Sequence, residues 1–425
     1  MLLISLLMRL FQGYGQWQNQ QVVLIGVAML ASLFVTNGFV QAVSRRASIF
    51  LSQGYVLAAQ RAMKIILGAG MGVVLVTAVG GAAVASSFGW LTLAEATLLA
   101  VAYVILSAIW FMVAVLYLLE ALLWFAIGLG LSTGFMAAVL ALIETTGQMG
   151  SVWLLLAALT GLGLFAAVFI YATRQTLAEL LSQSKVNQKQ VVFPPWPQMA
   201  YSLWPYFMYG TLYIFLIIVG HVLGWLGYVA DGSRSAAIFS IELSLTFALG
   251  GFILVSGAAE NTIHRFWRRV QIDQLRTPRH DPTRFRHILQ RFAHTEQRHF
   301  MLALLICSLA VLSLVYLVQT WLGWLPWTAE AKFLFVMGLL SYDLLAWGLF
   351  HAMFLITLSQ PRMAISALLW GLVVTVLVGG GFSFFVAYYY VAIGIFMGAA
   401  VFLLATQWYT RRLWQHADYY YYASF

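Results

Sequence analysis

Polar residues interrupt this chain at long, fairly even intervals. Between them lie apolar stretches of about 20 residues, the length a helix needs to cross the hydrocarbon core of a bilayer. Eleven such runs are legible, at 22–43, 65–87, 95–118, 122–143, 151–172, 199–226, 235–258, 300–322, 333–356, 364–385 and 389–410. Each is apolar throughout, so the pattern predicts membrane helices rather than the alternating strands, about ten residues long, of a membrane barrel. The boundaries are loosest where runs nearly fuse, at 95–143 and 364–410.

Composition agrees. Of 425 residues, 63% are hydrophobic and only 8% charged, against about 25% charged in soluble domains. The chain is expected to be an all-α integral membrane protein. The lone Cys307 rules out an intrachain disulfide and reads as apolar filler. The opening "MLLISLLMRLF" lacks the basic start and small-residue cleavage site of a secretory signal. It is too short to cross, and reads either as the end of a first helix whose upstream part is missing or as a short interfacial segment.

Charge gives orientation. Nineteen of the 22 lysines and arginines fall in alternate connections: 44–64 (with Arg45 and Arg46), 173–198, 259–299, 357–363 and the C-terminal tail. Only Arg9, Arg234 and Lys332 fall on the other side. The positive-inside rule puts the nineteen, and the C-terminus, in the cytoplasm of an inner-membrane protein. A missed span would scramble this asymmetry, so it also supports the count of eleven.

The densest basic segment, 259–299, holds nine arginines between Arg265 and Arg298. Ile263, Phe266, Trp267 and Val270 recur at helical spacing, and so do Phe285, Ile288, Leu289 and Phe292. "TPRHDP" separates the two sets, and Asp281–Pro282 is a helix start signal. The pattern predicts two amphipathic helices at the cytoplasmic surface, apolar faces toward the membrane. Arg268, Arg269, Arg284 and Arg291 would then face lipid phosphates, an anionic substrate or a cytosolic partner. Topological anchoring alone is the plainer reading, and so regular an apolar face argues against nucleic acid. Five of the eight histidines lie in this segment. None has partners at zinc spacing and the arginines would repel a cation, so neither a metal site nor a cofactor is expected.

Residues 173–198 are polar and end in "FPPWPQ", with three of the eight prolines. They read as a cytoplasmic linker between an N-terminal lobe, 1–172, and a C-terminal lobe, 199–425, that carries the basic loop. Counting one helix before residue 22, the halves are six helices each, an organisation common among transporters.

Ionisable groups inside spans are functional candidates by default. Asp343 stands eleven residues into its run, roughly at the bilayer midplane, and Glu242 eight residues into another. Both are candidates for a substrate or ion path; the alternative is a buried carboxyl bonded to a hydroxyl or carbonyl. Glu120 ends the third run on the cytoplasmic side and is a weaker candidate, while Glu95 and Glu144 read as solvated ends. His221 and His351 also lie in spans, where a lone histidine is ordinarily a packing residue. "GAGMG" at 68–72 and "GGG" at 379–381 follow no strand and lack a P-loop lysine, so they serve close helix packing or hinging. Without a nucleotide motif or a stretch long enough for a catalytic domain, no enzyme is expected. Interfacial belts account for most aromatics, including Trp204, Tyr206, Tyr209, Tyr213 and Tyr388–Tyr390.

Four stretches are distinctive together: "SRRASIFLSQG", the long basic loop, "SYDLLAWGLFHAMFLITLSQPRMAISALL", and the ending "RRLWQHADYYYYASF". In layout and in these diffuse motifs, nearly the whole chain resembles the PelG-type membrane subunit of Pel exopolysaccharide exporters. That family belongs to the multidrug/oligosaccharidyl-lipid/polysaccharide (MOP) flippase superfamily. The resemblance implies a twelve-helix fold in two lobes, from which this chain departs by lacking most of helix 1. It implies passive or ion-coupled movement of a polysaccharide or lipid-linked glycan, with a cytosolic glycosyltransferase and other membrane subunits as partners. It supplies no fixed catalytic residue. Two alternatives stay open: a MATE-like small-molecule or cation antiporter using Asp343 and Glu242, and a non-transporting scaffold recruiting a glycosyltransferase through the arginine loop.

Overall fold

A computed structural model describes residues 19–119, 121–145, 151–183, 193–230, 282–322, 328–417 and 419–420, with scattered helical residues between 244 and 266. The described residues are helical and contain no strand. Helices α1 (Asn19–Ser52), α2 (Val56–Ser87), α3 (Leu93–Leu118), α4 (Leu122–Thr145), α5 (Ser151–Gln183) and α6 (Trp196–Ala230) answer to the first six apolar runs. The run at 235–258 lies mostly outside the described residues. Helices α7 (Pro282–Leu322) and α8 (Ala329–Thr357) follow. The next span is α9 (Pro361–Val374), a π turn (Thr375–Gly379) and α10 (Gly380–Phe385), and α11 (Val391–Gln415) closes the series.

Local signals explain several ends. Thr92 and Glu95 form a reciprocal cap on α3: the Thr92 amide donates to Glu95 Oε2 at 2.9 Å and the Glu95 amide to Thr92 Oγ1 at 3.3 Å. This satisfies two orphan donors and makes Glu95 a cap. Gly54, at φ 78°, supplies the left-handed residue that reverses the chain between α1 and α2. Pro361 starts α9, where its missing N–H costs nothing.

The described residues up to Ile214 form one compact unit and those from Phe215 a second, with the division inside α6. In the first, α1 packs on α2 and α3, and α4 on α5. In the second, α8 and α9 both pack on α11. Glycine sets that distance. A methyl at Gly398 would overlap Thr375 Oγ1 and lie 2.6 Å from the Gly371 carbonyl oxygen; one at Gly394 would overlap the backbone of Gly379. The pair Gly394 and Gly398, four apart on one face of α11, lets two backbones meet as small-residue motifs do in membranes.

On its open side, α7 presents Leu302, Leu305, Ile306 and Leu309, each more than half exposed. Apolar surface this continuous belongs in lipid. Hydroxyls within spans are satisfied by the preceding turn: Thr36 donates to Ser32 O, Ser107 to Tyr103 O and Thr406 to Phe402 O, all within 2.9 Å. A bilayer core offers no water to do this.

Several helices outrun their apolar runs. Residues 173–183 of the expected linker continue α5, and 184–192 lie outside the described residues. The largest difference is α7, 41 residues long. At 1.5 Å per residue it is about 60 Å, twice the hydrocarbon thickness. The second amphipathic set is therefore the first third of a membrane helix, not a separate helix lying flat. Its apolar face is also not turned to lipid. Phe285, Leu289 and Phe292 are all under 8% exposed, and Phe292 packs 5.7 Å from the ring of Phe266. Phe266 meets Phe354 of α8 at 5.7 Å and Trp414 of α11 at 6.3 Å. The face is amphipathic because protein covers it.

Candidate functional site

Asp343 is the best-defined candidate. It stands midway along α8, half-buried, opposite α7. Ser308 Oγ lies 2.8 Å from each carboxylate oxygen and 2.9 Å from the Leu304 carbonyl, sharing one proton among three acceptors. The helix register explains the meeting: Ser308, Val311 and Val315 are the buried face of α7, between its exposed leucines. The carboxyl thus sits in the α7–α8 seam with a hydroxyl partner. Tyr342 beside it faces elsewhere, is 1% exposed, and lies 3.4 Å from Nε2 of His221 on α6. Glu242 and Glu120 lie outside the described residues, so no juxtaposition with Asp343 is described.

Basic residues collect at helix ends. Arg45 and Arg46 lie near the end of α1, and Arg61 in the second turn of α2. Each guanidinium is laid on an aromatic ring of its own unit: Arg45 on Tyr206 at 5.3 Å, Arg46 on Phe50 at 4.7 Å and Arg61 on Phe193 at 4.9 Å. Such stacking fixes a long side chain by cation–π attraction. Arg284 and Arg291 are exposed on the first turns of α7; Arg268 and Arg269 lie outside the described residues. Arg265 is spoken for. It pairs at 2.8 Å with Glu296, a carboxylate 5% exposed that also accepts from Thr262 Oγ1 at 3.3 Å.

No protein-family description matches this sequence, and no curated protein does. Solved structures do. A crystal structure of MATE in complex with MaL6 aligns at TM-score 0.66 and 14% identity, over 97% of this chain and 92% of that one. An outward-facing multidrug resistance MATE family transporter of the MOP superfamily aligns at 0.61 and 15%, over 93% and 86%. The MATE transporter ClbM in complex with Rb+ aligns at 0.58 and 12%, over 100% and 93%. The fold is that of the MATE transporters. At these identities the likeness extends to the fold.

Within this MATE fold, sequence reasoning passed over two features. One is Glu296, which stands among arginines in the sequence. The other is a cavity of about 580 Å³ where the basic start of α7 meets the ends of α8 and α11. Its polar side chains recur at helical spacing: Gln290, His294 and Gln297 on α7, and Gln407, Arg411 and Gln415 on α11. Those two stripes were the available signal. Among the described residues, no group of three histidine, cysteine or carboxylate side chains is placed to hold a metal ion.

Proposed function

We propose that this protein is a PelG-like exporter, moving a polysaccharide or lipid-linked glycan across the inner membrane by alternating access and catalysing no reaction itself. The supporting observation is the set of arginines laid on aromatic rings at the ends of α1 and α2. Arg45, Arg46 and Arg61 are held where cationic edges meet the cytoplasmic face, as suits a pyrophosphate-linked or otherwise anionic cargo and anionic lipid. The MATE fold supports transport, and the positive-inside asymmetry supports a cytoplasmic C-terminus. Exposed Arg284 and Arg291, with Arg268 and Arg269 in the same basic segment, form the surface for a cytosolic glycosyltransferase. Asp343, with Glu242 and Glu120, would supply the ion path.

A reconstituted assay tests this. Proteoliposomes carrying a fluorescent lipid-linked oligosaccharide should expose it on the opposite leaflet faster than empty liposomes. Proton-driven ethidium uptake without glycan movement would establish the antiporter alternative. Neither activity, with retained glycosyltransferase capture, would establish the scaffold.

A further inference from the structure

The cavity at the basic end of the second unit has an unmet demand at its wall. His351 of α8 is 6% exposed, and neither ring nitrogen has a hydrogen-bond partner among the described residues. Its backbone is fixed, with Thr410 Oγ1 donating to the His351 carbonyl at 3.3 Å. A buried, unbonded imidazole is costly, about 1–3 kcal/mol in general, and is ordinarily retained where something else completes it. His351 lines the cavity together with His294, Gln297, Gln407, Arg411 and Trp414.

The chemistry of this lining is specific. Its described residues supply four glutamine amides, two imidazoles and a guanidinium, and among them no carboxylate. Gln290 already donates to the Trp414 carbonyl at 2.9 Å; a primary amide offers donors and an acceptor together, as does a neutral imidazole, which matches the paired hydroxyls of a sugar ring. Trp414 adds an apolar surface for the C–H face of such a ring, backed by Phe350 and Phe354, which are buried. Among these described residues an organic cation would find one fixed positive charge and no counter-charge. The volume falls within the range of about 300–1,000 Å³ usual for ligand sites.

We propose that this cavity is a saccharide-binding site, taking neutral or acidic sugar units and rejecting cations. The choice of a saccharide rests on the glycan-export reading above; the cavity and its unbonded histidine do not. The site lies inside one unit, so it binds without any rearrangement between units.

The test uses the full chain in lipid nanodiscs and isothermal titration calorimetry with three probes: a glucose trisaccharide, a galacturonic acid trisaccharide and tetraphenylphosphonium. At least one saccharide should bind, and the cation should not displace it. Gln407→Leu and His351→Leu should each weaken binding at least about tenfold, equivalent to about 1.4 kcal/mol. His351→Leu should unfold at the same temperature as the parent or higher, because it removes an unsatisfied group; a purely structural histidine would lose stability instead. Thr77→Val, in the other unit, should bind as the parent does. Absence of saccharide binding, or unchanged affinity in both cavity variants, overturns the site. Cavity-dependent binding in liposomes that move no glycan would retire the export reading and leave the site standing. Glycan movement without cavity-dependent binding would do the reverse.

Discussion

Gly398→Ala tests the packing of the second unit most directly. The added methyl would lie 2.6 Å from the Gly371 carbonyl oxygen, against an ordinary contact of at least 3.4 Å, and would overlap Thr375 Oγ1. Backbone cannot rotate away, so α11 and α9 must part locally by about 0.8 Å, the difference between 2.6 and 3.4 Å. Overpacking of this kind costs about 1–3 kcal/mol. For a unit of roughly 200 residues, each kcal/mol lowers the unfolding midpoint by about 2–4 °C. Tryptophan-detected thermal unfolding in detergent should show that drop. Gly394→Ala should fall further, because its methyl meets backbone alone: it overlaps Gly379 and lies 3.1 Å from the Thr375 carbonyl oxygen. Gly381→Ala, which has no neighbour within 4 Å, should not fall. Adding Thr375→Ala to Gly398→Ala should recover part of the loss, a coupling a double-mutant cycle reads directly. If Gly398→Ala and Gly381→Ala unfold together at the parent's temperature, the glycines do not set the helix spacing and the packing argument fails.

Asp343→Asn keeps an acceptor for Ser308, so stability should change by about 1 kcal/mol or less, while glycan export falls; normal export across a pH series would leave Asp343 a structural hydrogen-bonder. Glu296→Gln weakens the hold on Arg265 and should cost about 1–3 kcal/mol, read as faster tryptic cleavage after Arg265; an unchanged rate would mean the pair contributes nothing. Replacing Arg268, Arg269, Arg284 and Arg291 together with glutamine should reduce recovery of a cytosolic glycosyltransferase and slow export. If both persist, these arginines serve topology alone.

Hydropathy located the spans because lipid contact and apolar sequence are the same physical fact. It misplaced helix ends for the same reason: backbone hydrogen bonding continues past the lipid, as at Gln183 of α5 and Pro282 of α7. The apolar stripe of Phe285, Leu289 and Phe292 was legible as a helical face, yet periodicity cannot say whether lipid or protein covers it. Asp343 stood out as an intramembrane acid. Its partner Ser308 did not, since the meeting of residues 35 apart depends on how two helices are rotated. Glu296 hid among positive charges, where a carboxylate ordinarily signals solvent. The cavity hid for a different reason: three separate helices contribute to it, and each stripe alone resembles a solvated face.

The π turn at Thr375–Gly379 has a consequence for how this chain tolerates changes in length. A π turn holds one more residue than an α turn, and each residue turns a helix by about 100°. Everything after Gly379 therefore sits in a phase that a regular helix would not give. Ser383 Oγ reaches the Leu223 carbonyl at 3.0 Å only in that phase. Deleting a single residue from 375–379 would produce a better hydrogen-bonded helix with the wrong side of α10 facing α6. A one-residue insertion of this kind, once absorbed, is locked: the neighbours packed against it hold the count as firmly as the helix itself would relinquish it.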